Sequence, residues 1–266
     1  MKALISIFRI RFLLLIQYRI AALAGLSTQF FFGMIMIMSF QAFFKSGQGM
    51  MPMTLSQTIT YIWLGQTLLG LLPWNGDREI QKMIRTGDLA YELLRPVSLY
   101  QLWFSRVLAQ RLAPTLLRCV PLLLITRFLL PETIRIGLPA SVDSALYFGL
   151  CLFGGILLGC AISNLITIAT LFTIGDGVDR LLPAIVILGS GMVIPIVYFP
   201  DWSQMLFKWL PFSGLVDAPY RYYLGLYTID DLPFSLFHIG IWLILLVAIG
   251  QWMLATARHR IIIQGG

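Results

Sequence analysis

Six apolar runs, each about as long as a bilayer is thick, constrain this chain more than any other feature. They cover roughly 20–44, 55–74, 108–130, 145–172, 181–199 and 234–253. A helix rises 1.5 Å per residue, so about 20 apolar residues cross a hydrocarbon core of roughly 30 Å. Inside that core every backbone N–H and C=O must find a partner within the protein, which leaves helices or closed barrels. Barrel strands alternate apolar and polar residues, and these runs do not. Of 266 residues, 58% are hydrophobic and 12% charged, against about 45–50% apolar and about 25% charged in soluble domains. The sequence predicts one all-α integral membrane domain over 1–266 with six transmembrane helices.

Basic residues orient the spans, because Lys and Arg collect on the cytoplasmic side. One set of connections holds 12 of them: Lys2, Arg9, Arg11, Arg19, Arg78, Lys82, Arg85, Arg95, Arg106, Arg180, Arg258 and Arg260. The other set holds Lys45, Arg135, Lys208 and Arg221, which makes 4. Both termini are therefore expected in the cytoplasm, in an inner or plasma membrane. The same rule accounts for the net charge of +7 through anionic lipid heads, with no nucleic-acid partner. Residues 1–19 read as an interfacial helix. Ile5, Phe8, Phe12, Leu15 and Ile16 share one face, Lys2, Ser6, Arg9 and Gln17 the other, and Arg11 breaks the pattern. Residues 200–233 are too apolar for a solvated loop and too broken by Pro211, Gly214 and Pro219 for a span. Two short re-entrant helices on the outer side fit them, with Trp202, Trp209 and several tyrosines at the interface.

Residues 77–98 are a charged island between the second and third runs. Ile80, Met83, Ile84, Leu89, Leu93 and Leu94 stand among its charges, Gly87 breaks it midway, and Asp88 is placed to cap a second half. The pattern predicts two short helices around an elbow, lying on the cytoplasmic surface with polar residues outward. An ordinary solvated loop is the plainer alternative.

The chain carries no Gly-x-x-x-x-Gly-Lys-Ser/Thr loop for nucleotide phosphates. No catalytic residue and no metal ligand set emerge. His238 and His259 are roughly 30 Å apart along one helix, and Cys119, Cys151 and Cys160 lie inside apolar runs as core residues. Arg111 and Arg118, seven residues apart, share a helix face, and a buried arginine must face protein or a polar cavity. With Asn164 they are candidates for a translocation path, against pairing or snorkelling as the bland alternative. Gly155-x-x-x-Gly159 permits close helix contact. Gly189, Gly191 and Pro195 are expected to bend the fifth run. Asp176, Asp179 and Arg180 read as a solvated turn.

Two stretches resemble the permeases of type-two ABC exporters. One is Gly87-Asp-Leu89-x-x-x-Leu93-Leu94-Arg95-Pro96-Val97-Ser98. The other runs from Gly189-Ser-Gly191 through Pro195, Phe199-Pro200-x-Trp202 and Leu210-Pro211-Phe212 to Pro219 and Leu224-Gly225. The ending Arg258-x-Arg260…Gly265-Gly266 is similar to the branch whose island reads Leu-Leu-Arg-Pro. The resemblance implies a cytoplasmic coupling helix after span two and pairing of two permease copies or of two similar permeases. It also implies separate P-loop ATPase subunits that hold ATP and Mg, with no cofactor on this chain. Contact with the ATPase is then expected from Glu79, Ile80, Met83, Ile84, Arg85, Gly87, Asp88, Leu89, Leu93, Arg95 and Pro96. Pro195, Phe199, Trp202, Pro211 and Phe212 are expected at an outer gate. Met83 departs from the family, where an acid is common, and Glu79 is the substitute contact. The competing readings are a nucleotide-independent channel or secondary carrier, which calls for acids within spans, and a membrane scaffold or immunity protein, which needs no island.

Overall fold

A computed structural model describes residues 2–47, 51–89, 92, 96–173 and 177–264, with the side chains of 177–180 and 258–264 outside the description. The described residues form helices and connections, with no strand. In chain order the helices are α1 (Lys2–Ile16), α2 (Arg19–Lys45), α3 (Leu55–Leu68), α4 (Arg78–Thr86), α5 (Leu99–Leu124), α6 (Val142–Ala169), α7 (Gly177–Gly189), α8 (Asp201–Trp209), α9 (Asp217–Tyr223) and α10 (Leu232–Gln264). Four stretches are long and apolar enough to cross a bilayer: Arg19–Lys45, Leu99–Leu129, Val142–Ala169 and Ile229–Ala257.

The second and fifth apolar runs become shorter helices than expected, each for a local reason. The helix α3 opens on a reciprocal cap in which Thr54 Oγ1 accepts from Gln57 N–H (3.2 Å) and Gln57 Oε1 accepts from Thr54 N–H (2.9 Å). It tightens into a 3-10 turn at Leu69–Leu71 before Pro73, which has no N–H to continue a helix. Every residue from Thr58 to Thr67 is buried, so α3 is the central rod of the bundle and is covered on all sides. The helix α7 stops at Gly189 rather than bending. Gly191 then takes φ +80°, a left-handed turn that costs other residues about 1–2 kcal/mol.

The helices pack round α3. Trp63 stacks on Phe30 of α2 with centroids 5.7 Å apart and donates from Nε1 to Ile134 O (2.7 Å). A Cβ on Gly155 of α6 would lie 2.8 Å from Gly214 O, and one on Gly159 would lie 3.1 Å from Leu71 O. The small-residue spacing thus lets α6 touch two neighbouring backbones. Cys151 and Cys160 are buried and all three thiols are free. The helix α1 lies along α5. Its half-buried face carries Ile7, Phe8, Arg11, Phe12, Leu15 and Ile16, while Ile5, Ile10, Leu13 and Leu14 are exposed. Arg11 sits on the packed face because it has a partner there.

Candidate functional site

The charged island begins as a helix held from three directions. Asp77 precedes α4 and caps it, accepting from Glu79 N–H (3.0 Å) and Ile80 N–H (3.3 Å). Its own N–H donates to Thr167 Oγ1 of α6 (2.8 Å), and its Oδ2 accepts from Arg106 Nε of α5 (2.9 Å). Asp77 is 0% exposed, so the Arg106 charge is what makes burying it tolerable. Arg106 reaches further and donates from Nη2 to Glu79 Oε2 (2.8 Å). Arg11 of α1 meets the same carboxylate with both terminal nitrogens, at 2.9 Å and 2.5 Å. This bidentate bond to Arg11, with Arg106 alongside, holds the Glu79 carboxyl below its ordinary value, and raises Arg11 above its own.

The approach to α4 is fixed as well. Arg111 Nη2 donates to Asn75 O (2.6 Å) and to Ser163 Oγ of α6 (2.8 Å). A Cβ on Gly76 would fall 2.6 Å from Thr167 Oγ1 and 2.9 Å from Gln81 Nε2, so only glycine passes between α4 and α6. At the far end Gly87 takes φ +81° as the left-handed cap. Open space surrounds its missing Cβ, so backbone conformation alone calls for glycine there. Thr86 Oγ1 bonds Asp88 Oδ2 (2.6 Å) across the turn.

The two faces of α4 differ. Ile80 and Leu89 are buried in a cluster with Leu99, Leu102, Trp103, Ile168 and Leu254, and Met83 and Ile84 are half-buried against it. Arg78, Lys82 and Arg85 are exposed, and their i, i+4, i+7 spacing puts three cations on one stripe. Asp88 and Pro96 are exposed too. Leu93 and Arg95 lie outside the described residues, as do Leu94, Gly175, Asp176, Gly265 and Gly266. The side chains of Asp179, Arg180, Arg258, His259 and Arg260 are likewise not described.

The candidate path residues differ in what they touch. Arg111 is committed to Asn75 and Ser163, and Asn164, 0% exposed, donates to Tyr100 O (3.3 Å). Both tie helices together. Arg118 lies against Gly25 of α2, where a Cβ would come within 2.5 Å of its Cζ, and its buried Nε has no hydrogen-bond partner among the described residues.

The other predicted segment is organised round a second buried acid. Asp217 accepts from Ile196 N–H (3.3 Å) and from Tyr61 OH (3.4 Å), and its Oδ2 is 2.6 Å from Arg221 Nε. Arg221 lies over the Tyr227 ring at 5.2 Å. Gly191 O, at 3.0 Å, shares that single Tyr61 hydroxyl proton with Asp217. Pro195 and Pro211 are buried, Phe199 packs on Phe207 at 4.9 Å, and Phe212 fills the space beside Gly189. Trp202 is 78% exposed. Asp217, the residue that pins the segment, is not among those the sequence singles out. Its i, i+4 spacing to Arg221 was the available signal.

A family model described as ABC-2 family transporter protein matches residues 12–265. The chain belongs to the ABC-2 transporter family. It is a multi-pass membrane permease subunit of an ABC transporter, the transmembrane part and not itself the ATPase. Permeases of the ABC-2 family work with ATP-binding subunits. No curated protein and no solved structure matches this chain.

Proposed function

We propose that this chain is the permease of an ATP-driven exporter, that it works as a pair of permease subunits, and that α4 is its coupling helix. ATP and Mg sit on separate P-loop ATPase subunits and none on this chain. ATP binding closes the ATPases, moves α4, and opens a path between the two permeases. Six crossings, with both termini and α4 cytoplasmic, fit this reading. α3 then completes its crossing with the 3-10 turn at 69–71 and the chain after it, and α7 with the chain that follows Gly189. The segment 190–224 lies on the outer side.

The observation that carries the reading is the division of α4. One stripe of three cations faces out, the other face is locked into the bundle, and the first turn is bonded to α1, α5 and α6. A loop with no partner needs none of that anchoring. Arg78 and Lys82 on that stripe fit an acidic surface on the ATPase, and Arg118, whose Nε has no hydrogen-bond partner among the described residues, is the path candidate.

Affinity purification of the tagged permease from its native membrane tests the proposal. A P-loop ATPase is expected to copurify, and Gly87→Pro with Leu89→Asp is expected to abolish drug- or lipid-stimulated ATP hydrolysis. Purification without any ATPase, or full coupling in the double variant, would overturn it.

A further inference from the structure

An apolar cavity of about 330 Å³ opens between α3, α5, α6 and α9. Leu68, Leu116, Cys119, Leu152, Phe148 and Tyr223 are among its walls. Few polar groups face it. Tyr223 OH donates to Gly137 O (2.9 Å), Thr115 Oγ1 donates to Arg111 O (2.6 Å), and Thr67 Oγ1 is buried with no hydrogen-bond partner among the described residues. The space therefore meets mostly methyl groups, a thiol and aromatic rings.

Its depth decides what is available to fill it. On α5 the lining residues fall between 112 and 123, in the middle of the Leu99–Leu129 stretch. On α6 they fall between 148 and 156, in the first half of Val142–Ala169. On α3 and the 3-10 turn after it they fall between 64 and 71, toward the island, so the cavity lies at bilayer depth near the middle of these stretches. Leu116 at its rim is 49% exposed, so the medium at the mouth is hydrocarbon. Water needs several polar partners, more than these walls offer, and does not occupy such a space. An empty space forfeits the dispersion contacts of its whole lining. The volume stands at the low end of the roughly 300–1,000 Å³ typical of small-ligand sites, which suits one flexible chain.

We propose that this cavity binds one acyl chain of a bilayer phospholipid as a structural ligand. Leu71 on its wall belongs to the turn that leads to the charged island, and Tyr223 belongs to α9. The chain is a wedge between the elements that serve the two ends of the molecule.

Photolabelling in nanodiscs of phosphatidylcholine with a diazirine in its acyl chain tests this. Label is expected to concentrate at Leu116, Cys119, Leu152 and Ile156, above the exposed lipid-facing positions Phe153 and Phe237. Leu152→Trp, which fills the cavity, is expected to cut labelling at Leu116 and Cys119 several-fold, while Leu146→Trp on the exposed face of α6 leaves it unchanged. If Leu152→Trp does not elute as the wild type does, Leu116→Trp at the rim is expected to give the same loss at Leu152 and Ile156. Label spread evenly over all exposed positions, or unchanged by the filling variants, would overturn the proposal. So would a Cys119–Cys119 disulfide trapped in membranes, since it would put a second copy of the chain at the mouth.

Discussion

Among the described residues two buried aspartate–arginine pairs stand out, and they hold their segments in different ways. At the charged island Asp77 and Arg106 come from elements 29 residues apart, and Glu79 extends the network to Arg11 on α1. In the 190–224 segment Asp217 and Arg221 sit one turn apart on the same short helix, and the long-range bonds there come from uncharged donors, Tyr61 OH and Ile196 N–H. The first pair is a crosslink between helices; the second neutralises a local charge while neutral groups make the tertiary bonds. An element joined by charge to α1 and α5, and by a neutral hydrogen bond to α6, moves with them, which is what a coupling helix must do. A segment pinned through neutral bonds is able to shift without stranding a charge.

Breaking the first pair is expected to have the largest effect. Arg106→Ala leaves Asp77 buried with its charge uncompensated, which costs about 3–5 kcal/mol. Thermal unfolding in detergent is expected to fall sharply. A midpoint within a degree or two of wild type would show that Asp77 is not the keystone. Asp217→Asn is expected to cost less, about 1–3 kcal/mol, because the amide oxygen still accepts from Ile196 N–H and Arg221 keeps the face of Tyr227. An equal loss from both variants would erase the distinction between the two regions.

Gly87→Ala comes next. Its left-handed φ of +81° costs an L-residue about 1–2 kcal/mol, and nothing crowds the new Cβ. Hydrogen exchange is expected to rise at 85–89 and stay unchanged at 190–224. The smallest effect belongs to Arg11→Ala, under about 1 kcal/mol, because Glu79 is 60% exposed and its pair is screened. Acid acts on the same bond. The Glu79 carboxyl is held below its ordinary value, so the contribution is complete above about pH 4.3, the unperturbed glutamate value, and is lost as pH falls through the lower native value. Protection of α1 from proteolysis is expected to hold at pH 7 and to weaken below pH 4, and Arg11→Ala is expected to remove that dependence.

Four of the six apolar runs appear as long helices close to where hydrophobicity places them, because a bilayer makes length and polarity nearly sufficient. The third starts earlier than the apolar run, at Leu99, since Gln101, Ser105 and Arg106 are carried inside a helix that polarity alone would exclude. The two short helices each stop at backbone chemistry, Pro73 and Gly189–Gly191, which hydropathy smooths over. In the island, Gly87 and the apolar set Ile80 and Leu89 are legible from the residues themselves. Asp77 is legible as a helix cap but not as a buried charge, because its partner is 29 residues away and one chain does not reveal long-range pairing. Arg106 counts in the sequence only as one more basic residue beside the membrane, whereas its side chain is 6% exposed. Arg11 breaks the stripe of α1 for a similar reason: its partner is 68 residues away.

The central claim is that the charged island, and not the 190–224 segment, meets the ATPase. Two exposed lysines offer the contrast, Lys82 on α4 and Lys208 on α8. A photocrosslinking residue replaces each in turn in the coexpressed complex, and the crosslinked products are identified by mass spectrometry. The account predicts a P-loop ATPase crosslinked from position 82 and none from position 208. An ATPase captured from position 208, or from neither position in a complex that contains one, would contradict it.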